Sequence, residues 1–302
     1  MLLRQFEYLV ALAREKHFGR AAASLNVAQP SLSAGIRELE QELDVLIVER
    51  GHRFAGFTEE GERILDRARR ILAERDALRV DVDTLKRGLM GTLRIGVIPT
   101  ALPIVRQAMQ PFTERFPGVT IRVLSLTSTG IQRGLDEFEL DIGLTYLDNE
   151  PLERVKPKPL YSESYLLLTP KKGPFAGRAG VRWAEAAETP LCLLTPDMQN
   201  RRIIDSIFRA IGKQPRPAFE TNSLINLCMQ VGSGPWSSIV PEPVLGALEL
   251  SPDVETLPLV DPVIRRLVGL VTPDREPTAP LAETFIALAQ PMFGRDIQHS
   301  AS

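Results

Sequence analysis

The chain has 302 residues, which is enough for two or three domains that each bury a core. Its 36 Lys and Arg are balanced by 38 Asp and Glu, so overall charge does not favour nucleic acid as a partner. No apolar run reaches the roughly 18 residues that would suggest a membrane span, and charges near the start fall where a signal peptide would be apolar. We therefore expect a cytoplasmic protein with no membrane partner.

The first 57 residues predict three short helices. Apolar spacing indicates a helix that includes Phe6 and Leu9, a second over 18–25, and a third that begins at Pro30. The inner face of the third helix consists of Leu32, Ile36, Leu39 and Leu43. Its other positions carry small polar residues and Arg37 early and acids late, an order that suits entry into a DNA major groove.

A β-wing is predicted directly after the third helix. Two apolar segments between Val45 and Phe57 flank a turn that places Arg50 and Arg53 near its tip, where they suit phosphate or minor-groove contact. We interpret residues 1–57 as a winged helix-turn-helix, with a structural three-helix bundle as the alternative. Basic and acidic residues are equal in number here, so the DNA interpretation depends on where the charges lie.

Residues 58–89 predict one long helix with Thr58 as its N-cap. A heptad seam interrupted only by Arg75 predicts pairing with a second helix, and hence a homodimer with two recognition helices for a two-fold operator. The alternative is a helix packed on its own domain. The seam comprises Ile64, Ala68, Ile71, Arg75, Leu78, Val82, Leu85 and Leu89.

Residues 90–302 alternate strand-like and helical segments, which predicts an α/β fold with a parallel sheet covered by helices. Two lobes with crossovers near 161–163 and 262–267 fit the length. We call residues 92–161 with 267–302 lobe I, and residues 162–266 lobe II.

Hydroxyl and amide side chains gather at four predicted helix starts in this region. Ligands in such folds bind outside the carboxyl ends of strands, against helix N-termini. Hydroxyl and amide donors at helix N-termini suit binding of a small anion. The alternative role of each residue is to cap its helix. The predicted effector contacts are Thr100, Ser128, Thr129, Asn200 and Asn222.

Residues 18–33, FGRAAASLNVAQPSLS, resemble the signature of LysR-type transcriptional regulators, and residues 36–40 and 58–61 also agree with that family. The chain departs from the family pattern at Asp44 and at 47–48, where the wing begins. The resemblance implies a set of DNA contacts, completed by the two arginines of the wing. The set comprises Arg20, Gln29, Pro30, Ser31, Ser33, Arg37, Arg50 and Arg53.

The same resemblance implies an effector domain similar to periplasmic binding proteins, and it favours Thr100 and Thr129 as effector contacts. Residues 220–224 look similar to the cyanate-responsive branch, which implies a small anion such as cyanate, formate or a short carboxylate. The family also implies operator DNA as partner, homodimers that assemble into a homotetramer, and RNA polymerase as a candidate partner.

Three other functions are alternatives to an effector-controlled regulator. An enzyme is disfavoured because dinucleotide, P-loop, nucleophile-elbow and paired-histidine motifs are missing. A free solute-binding protein would not need a DNA-binding domain. A redox-sensing regulator would use Cys192 and Cys228, which lie far apart in apolar segments and are otherwise expected to be buried thiols. We expect neither a metal site nor a cofactor.

Overall fold

The structure is a computed structural model that describes residues 1–49, 54–247, 250–275 and 278–293. The chain divides into two compact units, Met1–Gly88 and Leu89–Ser302. Each unit is described by itself.

The first unit contains the three predicted helices, the two sides of the wing and the long helix. The two sides of the wing meet at a bridge between Val48 and Phe57, where Glu49 N–H donates to the Gly56 carbonyl over 3.1 Å. The predicted tip residues Arg50 and Arg53 lie outside the described residues. The helices are α1 (Leu3–Glu15), α2 (Phe18–Ser24), α3 (Gln29–Leu43) and α4 (Glu59–Arg87).

The apolar face of α3 lies in the core of this unit, as the spacing predicts. Leu32, Ile36 and Leu39 are buried there. The helix begins one residue earlier than predicted, so Pro30 occupies its second position. Gly35 allows α1 to approach closely, because a β-carbon at this position would lie 2.8 Å from the buried Tyr8 ring.

The start of α2 depends on a histidine cap. His17 Nδ1 accepts from Gly19 N–H over 3.1 Å and from Arg20 N–H over 3.3 Å. These are two of the N–H groups that lack a partner inside the helix. Serine, threonine and aspartate are the usual signals for a cap, so this role of His17 was not foreseen.

The long helix α4 packs on its own unit over its first half and exposes apolar residues over its second. Ala68 is fully buried, which corrects its assignment to the heptad seam. Arg75 pairs with Glu7 of α1, which explains a charge within an apolar pattern. Beyond these residues, Leu78 is 63% exposed. The described seam residues open to solvent are Ile71, Leu78 and Val82.

Lobe I of the second unit carries a β-α-β-α-β run followed at the chain's end by a returning helix. Strand β1 pairs in parallel with β2 and β3, which confirms the predicted parallel order. The elements are β1 (Gly91–Val97), a 3-10 turn (Pro99–Ala101), α5 (Leu102–Arg115), β2 (Val119–Ser125), α6 (Ser128–Asp136), β3 (Ile142–Tyr146) and α10 (Pro280–Phe293).

Lobe II repeats this architecture with shorter strands. Strand β6 pairs in parallel with β7 and β8. The elements are β5 (Val181–Arg182), α7 (Trp183–Ala186), β6 (Leu191–Leu194), α8 (Gln199–Ala210), β7 (Phe219–Thr221), α9 (Leu224–Ser233), β8 (Ser237–Pro241), a 3-10 turn (Glu242–Ala247) and β9 (Val254–Val260).

Two long antiparallel strands join the lobes. They are β4 (Val155–Pro170) and β10 (Arg265–Pro273), paired from Val155↔Pro273 to Ser164↔Arg265. Strand β10 continues into lobe I beside β3, and β4 continues into lobe II beside β8 and β9. The fold is thus an α/β fold with an N-terminal helix-turn-helix, as predicted. Among the described residues, no helix has the length and hydropathy that a membrane crossing needs.

The His17 cap predicts a local stability effect in the first unit. We expect His17→Ala to cost about 1 kcal/mol, because two N–H groups of α2 lose their acceptor. His17→Asn should recover most of this loss. Hydrogen exchange of peptides from α1 to α3 in the full chain measures the change. Gln41→Ala, on the exposed side of α3, is the control, and a His17→Ala chain with the control's exchange rates would contradict the assignment.

Candidate functional site

The N-terminal end of α3 presents an exposed polar face. Gln29, Pro30, Ser31 and Arg37 are exposed, and Ser33 is half-buried. The opposite face of the helix is apolar and packed in the core. The positive end of the helix dipole is at the same end of the helix, so the face combines hydrogen-bonding groups, a cation and a favourable field for phosphate.

The acids of α3 have partners within their own unit. Glu40 accepts from the backbone N–H groups of Ile47 and Val48, over 2.8 and 3.1 Å, and so fixes the entry to the wing. Glu42 pairs with the N-terminal ammonium group. Glu42 is therefore paired with a cation of its own unit, while Arg37 near the middle of α3 remains exposed.

The predicted contact Arg20 lies on α2, near the start of α3. Its side chain is 63% exposed, and its guanidinium donates to the Glu15 carbonyl over 2.7 Å. A β-carbon on Gly19 would lie 3.5 Å from the Gln29 amide oxygen. The structure therefore places the start of α2 beside the first residue of α3.

A small cavity in the second unit lies between lobe I and lobe II. Its volume is about 10 Å³, room for about one water molecule. The structure brings three of the five predicted effector residues together at this cavity: Thr100, Ser128 and Asn200. The other residues that line it are Ile98, Pro99, Thr127, Leu194, Met198 and Gln199.

Thr129 and Asn222 do not line this cavity. Thr129 shares a hydrogen bond of 3.0 Å with the Thr127 hydroxyl, and it is Thr127 that caps α6. Asn222 is exposed in the turn after β7, where the neighbouring Ser223 caps α9. Both residues lie close to helix starts, as predicted, and neither lines the cavity in this conformation.

A chain of hydrogen bonds runs from the cavity into the strands that join the lobes. Asn200 donates to the Tyr146 hydroxyl over 3.0 Å, and Tyr146 donates to Glu163 Oε1 over 2.6 Å. Thr100 lies 3.5 Å from the same hydroxyl. Glu163 is 1% exposed, and burial raises its pKa to about 8, against the lowering effect of the Tyr146 bond. Its carboxyl group is therefore mostly protonated and neutral at pH 7.

The first turn of α8 holds the two lobes together. Gln199 of lobe II accepts from the Thr145 hydroxyl of lobe I over 3.2 Å and also donates to the Asn149 carbonyl. Arg202 donates to both carboxylate oxygens of Glu150, with distances between 2.6 and 3.0 Å. The sequence carries no local signal for these contacts, because the partners lie 50 or more residues apart in the chain.

The two cysteines belong to the core of lobe II. Cys192 is fully buried on β6, and Cys228 is buried on α9 in the same apolar cluster. Burial raises the pKa of each thiol to about 11. Since the thiolate is the reactive form, both thiols are poorly placed to react with an oxidant.

In the described part of the chain, His, Cys, Asp and Glu side chains form no group of three that could hold a metal ion.

Two family models together match most of the chain. The model described as "LysR substrate binding domain" matches residues 86–294. The model described as "Bacterial regulatory helix-turn-helix protein, lysR family" matches residues 3–62.

Full-length proteins show the same similarity. The chain is 32% identical to the DNA-binding transcriptional dual regulator OxyR of Escherichia coli K12, over 98% of this chain and 96% of that protein. It is 31% identical to the hydrogen peroxide-inducible genes activator of Dickeya chrysanthemi, over 96% and 94%. A solved full-length OxyR variant from Pseudomonas aeruginosa superposes with a TM-score of 0.74 at 26% identity, covering 97% of each chain.

The buried Glu163 predicts a pH-dependent stability. Its pKa rises from 4.5 in the unfolded chain to about 8 in the fold, so folding favours the protonated form. The stabilising contribution is complete below about pH 4.5 and is lost as the pH rises to about 8. The free energy of unfolding of the unmodified chain should therefore fall by on the order of a few kcal/mol as the pH rises from about 4.5 to about 8. The reference is the Glu163→Gln variant, whose side chain stays neutral at every pH.

Urea unfolding between pH 5 and pH 9 tests this prediction, with tryptophan fluorescence as the signal because Trp183 and Trp236 both lie in the second unit. The exposed Glu153→Gln is the control and should follow the unmodified chain at every pH. A difference between Glu163→Gln and the unmodified chain that does not vary with pH would contradict the raised pKa.

Proposed function

Because this chain belongs to the LysR family of DNA-binding transcriptional regulators, we propose that it binds a specific operator through α3 and the wing and responds to a small molecule held between its lobes. The exposed polar end of α3 is the observation that carries the DNA-binding part. We propose Gln29, Pro30, Ser31, Ser33 and Arg37 as contacts in the major groove. Arg20, Arg50 and Arg53 would add contacts to the flanking phosphates or the minor groove.

We also propose a division of labour along the chain. Residues 1–57 bind DNA, residues 58–89 pair two protomers, and residues 90–302 bind the effector. The exposed apolar side chains of Leu78 and Val82 support pairing through the second half of α4.

Pairing matters for the affinity of the whole protein. A domain with balanced charge gains little from phosphate attraction, whereas two or four linked domains acting together raise the effective affinity. A homodimer that assembles into a homotetramer supplies these domains. RNA polymerase is the candidate partner at the promoter, and the cytoplasm is the compartment where both meet the operator.

The proposed effector is a small anion such as formate, cyanate or a short carboxylate. Thr100, Ser128 and Asn200 supply hydroxyl and amide donors at the cavity, and the neutral carboxyl group of Glu163 leaves it free of a repelling charge. A volume of about 10 Å³ is too small for these ions, so binding requires the lobes to move apart. Thr129 and Asn222 could join only in that rearranged state.

A redox-sensing regulator is the second candidate, and the similarity to hydrogen peroxide-inducible activators favours it. It would use Cys192 or Cys228. Both thiols are buried and both have a raised pKa, which opposes reaction with an oxidant in this conformation. We therefore place the effector cavity ahead of the cysteines as the sensing site.

The DNA-binding proposal predicts that Arg37→Ala lowers the affinity for the promoter region beside the protein's own gene by about tenfold or more, since a specific base contact is worth about 1–3 kcal/mol. Ser33→Ala should lower it less, because a hydroxyl contact lacks the charge. Titration of the full-length variants in a gel-shift assay at fixed salt measures the change. Arg209→Ala, exposed in the second unit, is the matched control. Equal affinity for Arg37→Ala and the control would refute the proposed DNA face.

A further inference from the structure

The guanidinium group of Arg202 already binds a carboxylate that belongs to its own chain. Its Nε lies 3.0 Å from each carboxylate oxygen of Glu150, and Nη2 lies 2.6 Å from one of them. This is a two-pronged arrangement that arginine offers to any carboxylate. Glu150 comes from lobe I and Arg202 from lobe II, so the pair closes one edge of the space between the lobes.

The guanidinium is held in place independently of Glu150. Its Nη1 donates to the backbone carbonyls of Asp197 and Pro196, over 2.8 and 3.2 Å. These two bonds fix the plane of the group and leave Nε and Nη2 directed at the acid. Arg202 therefore presents a preorganised site for a planar anion, whichever molecule supplies it.

Arg202 is also next to the effector cavity. Its Nη2 lies 3.4 Å from the hydroxyl of Ser128, which lines the cavity. None of the described residues that line the cavity is charged. Behind Tyr146 lies Glu163, whose pKa of about 8 keeps it neutral at pH 7. An anion between the lobes thus lies near the guanidinium group of Arg202, and no charged carboxylate repels it from the side of Glu163.

The acid that occupies Arg202 is well suited to exchange. The Glu150 side chain is 48% exposed, so water can stabilise it when it leaves. Its backbone φ is 48°, in the left-handed region that disfavours residues with a β-carbon. The Arg202 hydrogen bond lowers the pKa of Glu150, which keeps it ionised and bound while no other anion is present.

We propose that Arg202 recognises the anionic group of the effector, and that Glu150 is an internal competitor which this group displaces. A carboxylate or similar monoanion takes the two positions on Nε and Nη2, and the Ser128 hydroxyl donates a further hydrogen bond. The displaced acid removes the Arg202 contact between residues 147–150 of lobe I and α8, and the Gln199 bond to the Asn149 carbonyl remains. This inference rests on the proposed small-anion effector and adds the residue that selects its charge.

Isothermal titration of the full-length protein with sodium formate, sodium acetate and sodium cyanate, each at matched ionic strength, tests the exchange. The anion that binds the unmodified chain most tightly is then titrated into variants. Arg202→Gln should weaken its binding about tenfold or more, as expected for the loss of a charged hydrogen-bond donor. Arg202→Lys keeps the positive charge but loses the paired N–H donors of the guanidinium group. Its affinity for the anion should lie between those of the unmodified chain and Arg202→Gln.

Glu150→Gln should have the opposite effect. Removing the competitor is expected to tighten binding about two- to fivefold, the range set by a partly exposed ion pair. The matched controls are Arg209→Gln on the same helix and Glu153→Gln near the same loop, and both should bind like the unmodified chain. Melting temperatures without ligand show whether each variant is folded. The Glu150→Gln arm retains Arg202, so it tests the exchange even if Arg202→Gln unfolds.

The outcomes separate this inference from the function on which it rests. If the unmodified chain binds an anion and Glu150→Gln binds it no more tightly, the displacement is wrong while the anion effector stands. A folded Arg202→Gln chain with unchanged affinity would likewise remove Arg202 from the site. If the unmodified chain binds none of the three anions, the proposed effector class fails and the exchange fails with it.

Discussion

One turn of helix supplies hydrogen bonds between the side chains of the two lobes of the second unit. Strands β4 and β10 join the lobes by backbone pairing, which leaves their closure to side chains. The side chains of Gln199, Asn200 and Arg202 reach three points on lobe I. Because all three lie in the first turn of α8, a change at that turn alters all three contacts at once. The small cavity, the buried Glu163 and the Glu150 pair all lie beside this turn.

This arrangement gives a physical route from a ligand to the lobes. A molecule between the lobes shifts the equilibrium only if it binds one arrangement better than another. The closed arrangement leaves room for about one water molecule, so a larger ligand must favour a more open one. The hydrogen bonds made by Gln199 and Asn200 stabilise the closed arrangement and so oppose opening by the ligand. The stronger these bonds are, the higher the anion concentration needed to shift the lobes to the open arrangement.

In the first unit, the position of the charges matters more than their sum. Its acidic and basic residues balance in number. Glu40 accepts a hydrogen bond from the backbone at the wing entry, and Glu42 pairs with the N-terminal ammonium group. Arg37 remains exposed on α3. A regulator built this way can discriminate among DNA sequences without strong attraction to all of them, because non-specific binding follows the overall charge.

Local patterns predicted much of this molecule. The buried face of α3, the parallel order of β1, β2 and β3, and the clustering of Thr100, Ser128 and Asn200 all follow from periodicity and from hydroxyl-rich helix starts. The first half of β4 is harder to predict, because Lys and Pro between 155 and 160 obscure the apolar pattern of a strand.

Contacts between distant residues could not be predicted in the same way. The heptad pattern does not show that Ala68 packs inside its own unit. Tyr146, Glu163 and Gln199 gain their roles only when β3, β4 and α8 meet, and a single sequence carries no sign of such a meeting. His17 was missed for a different reason, since histidine is an uncommon cap.

Footprinting of the full-length protein on its operator, with and without the anion that binds it, shows whether anion binding changes the DNA contacts. We expect the inner contacts of each α3 to persist while the outermost protected positions or the DNA bend change, because the lobes reorient when the anion enters. The same experiment on Arg202→Gln should show no change at that anion concentration. Identical footprints of the unmodified protein with and without bound anion would contradict the account.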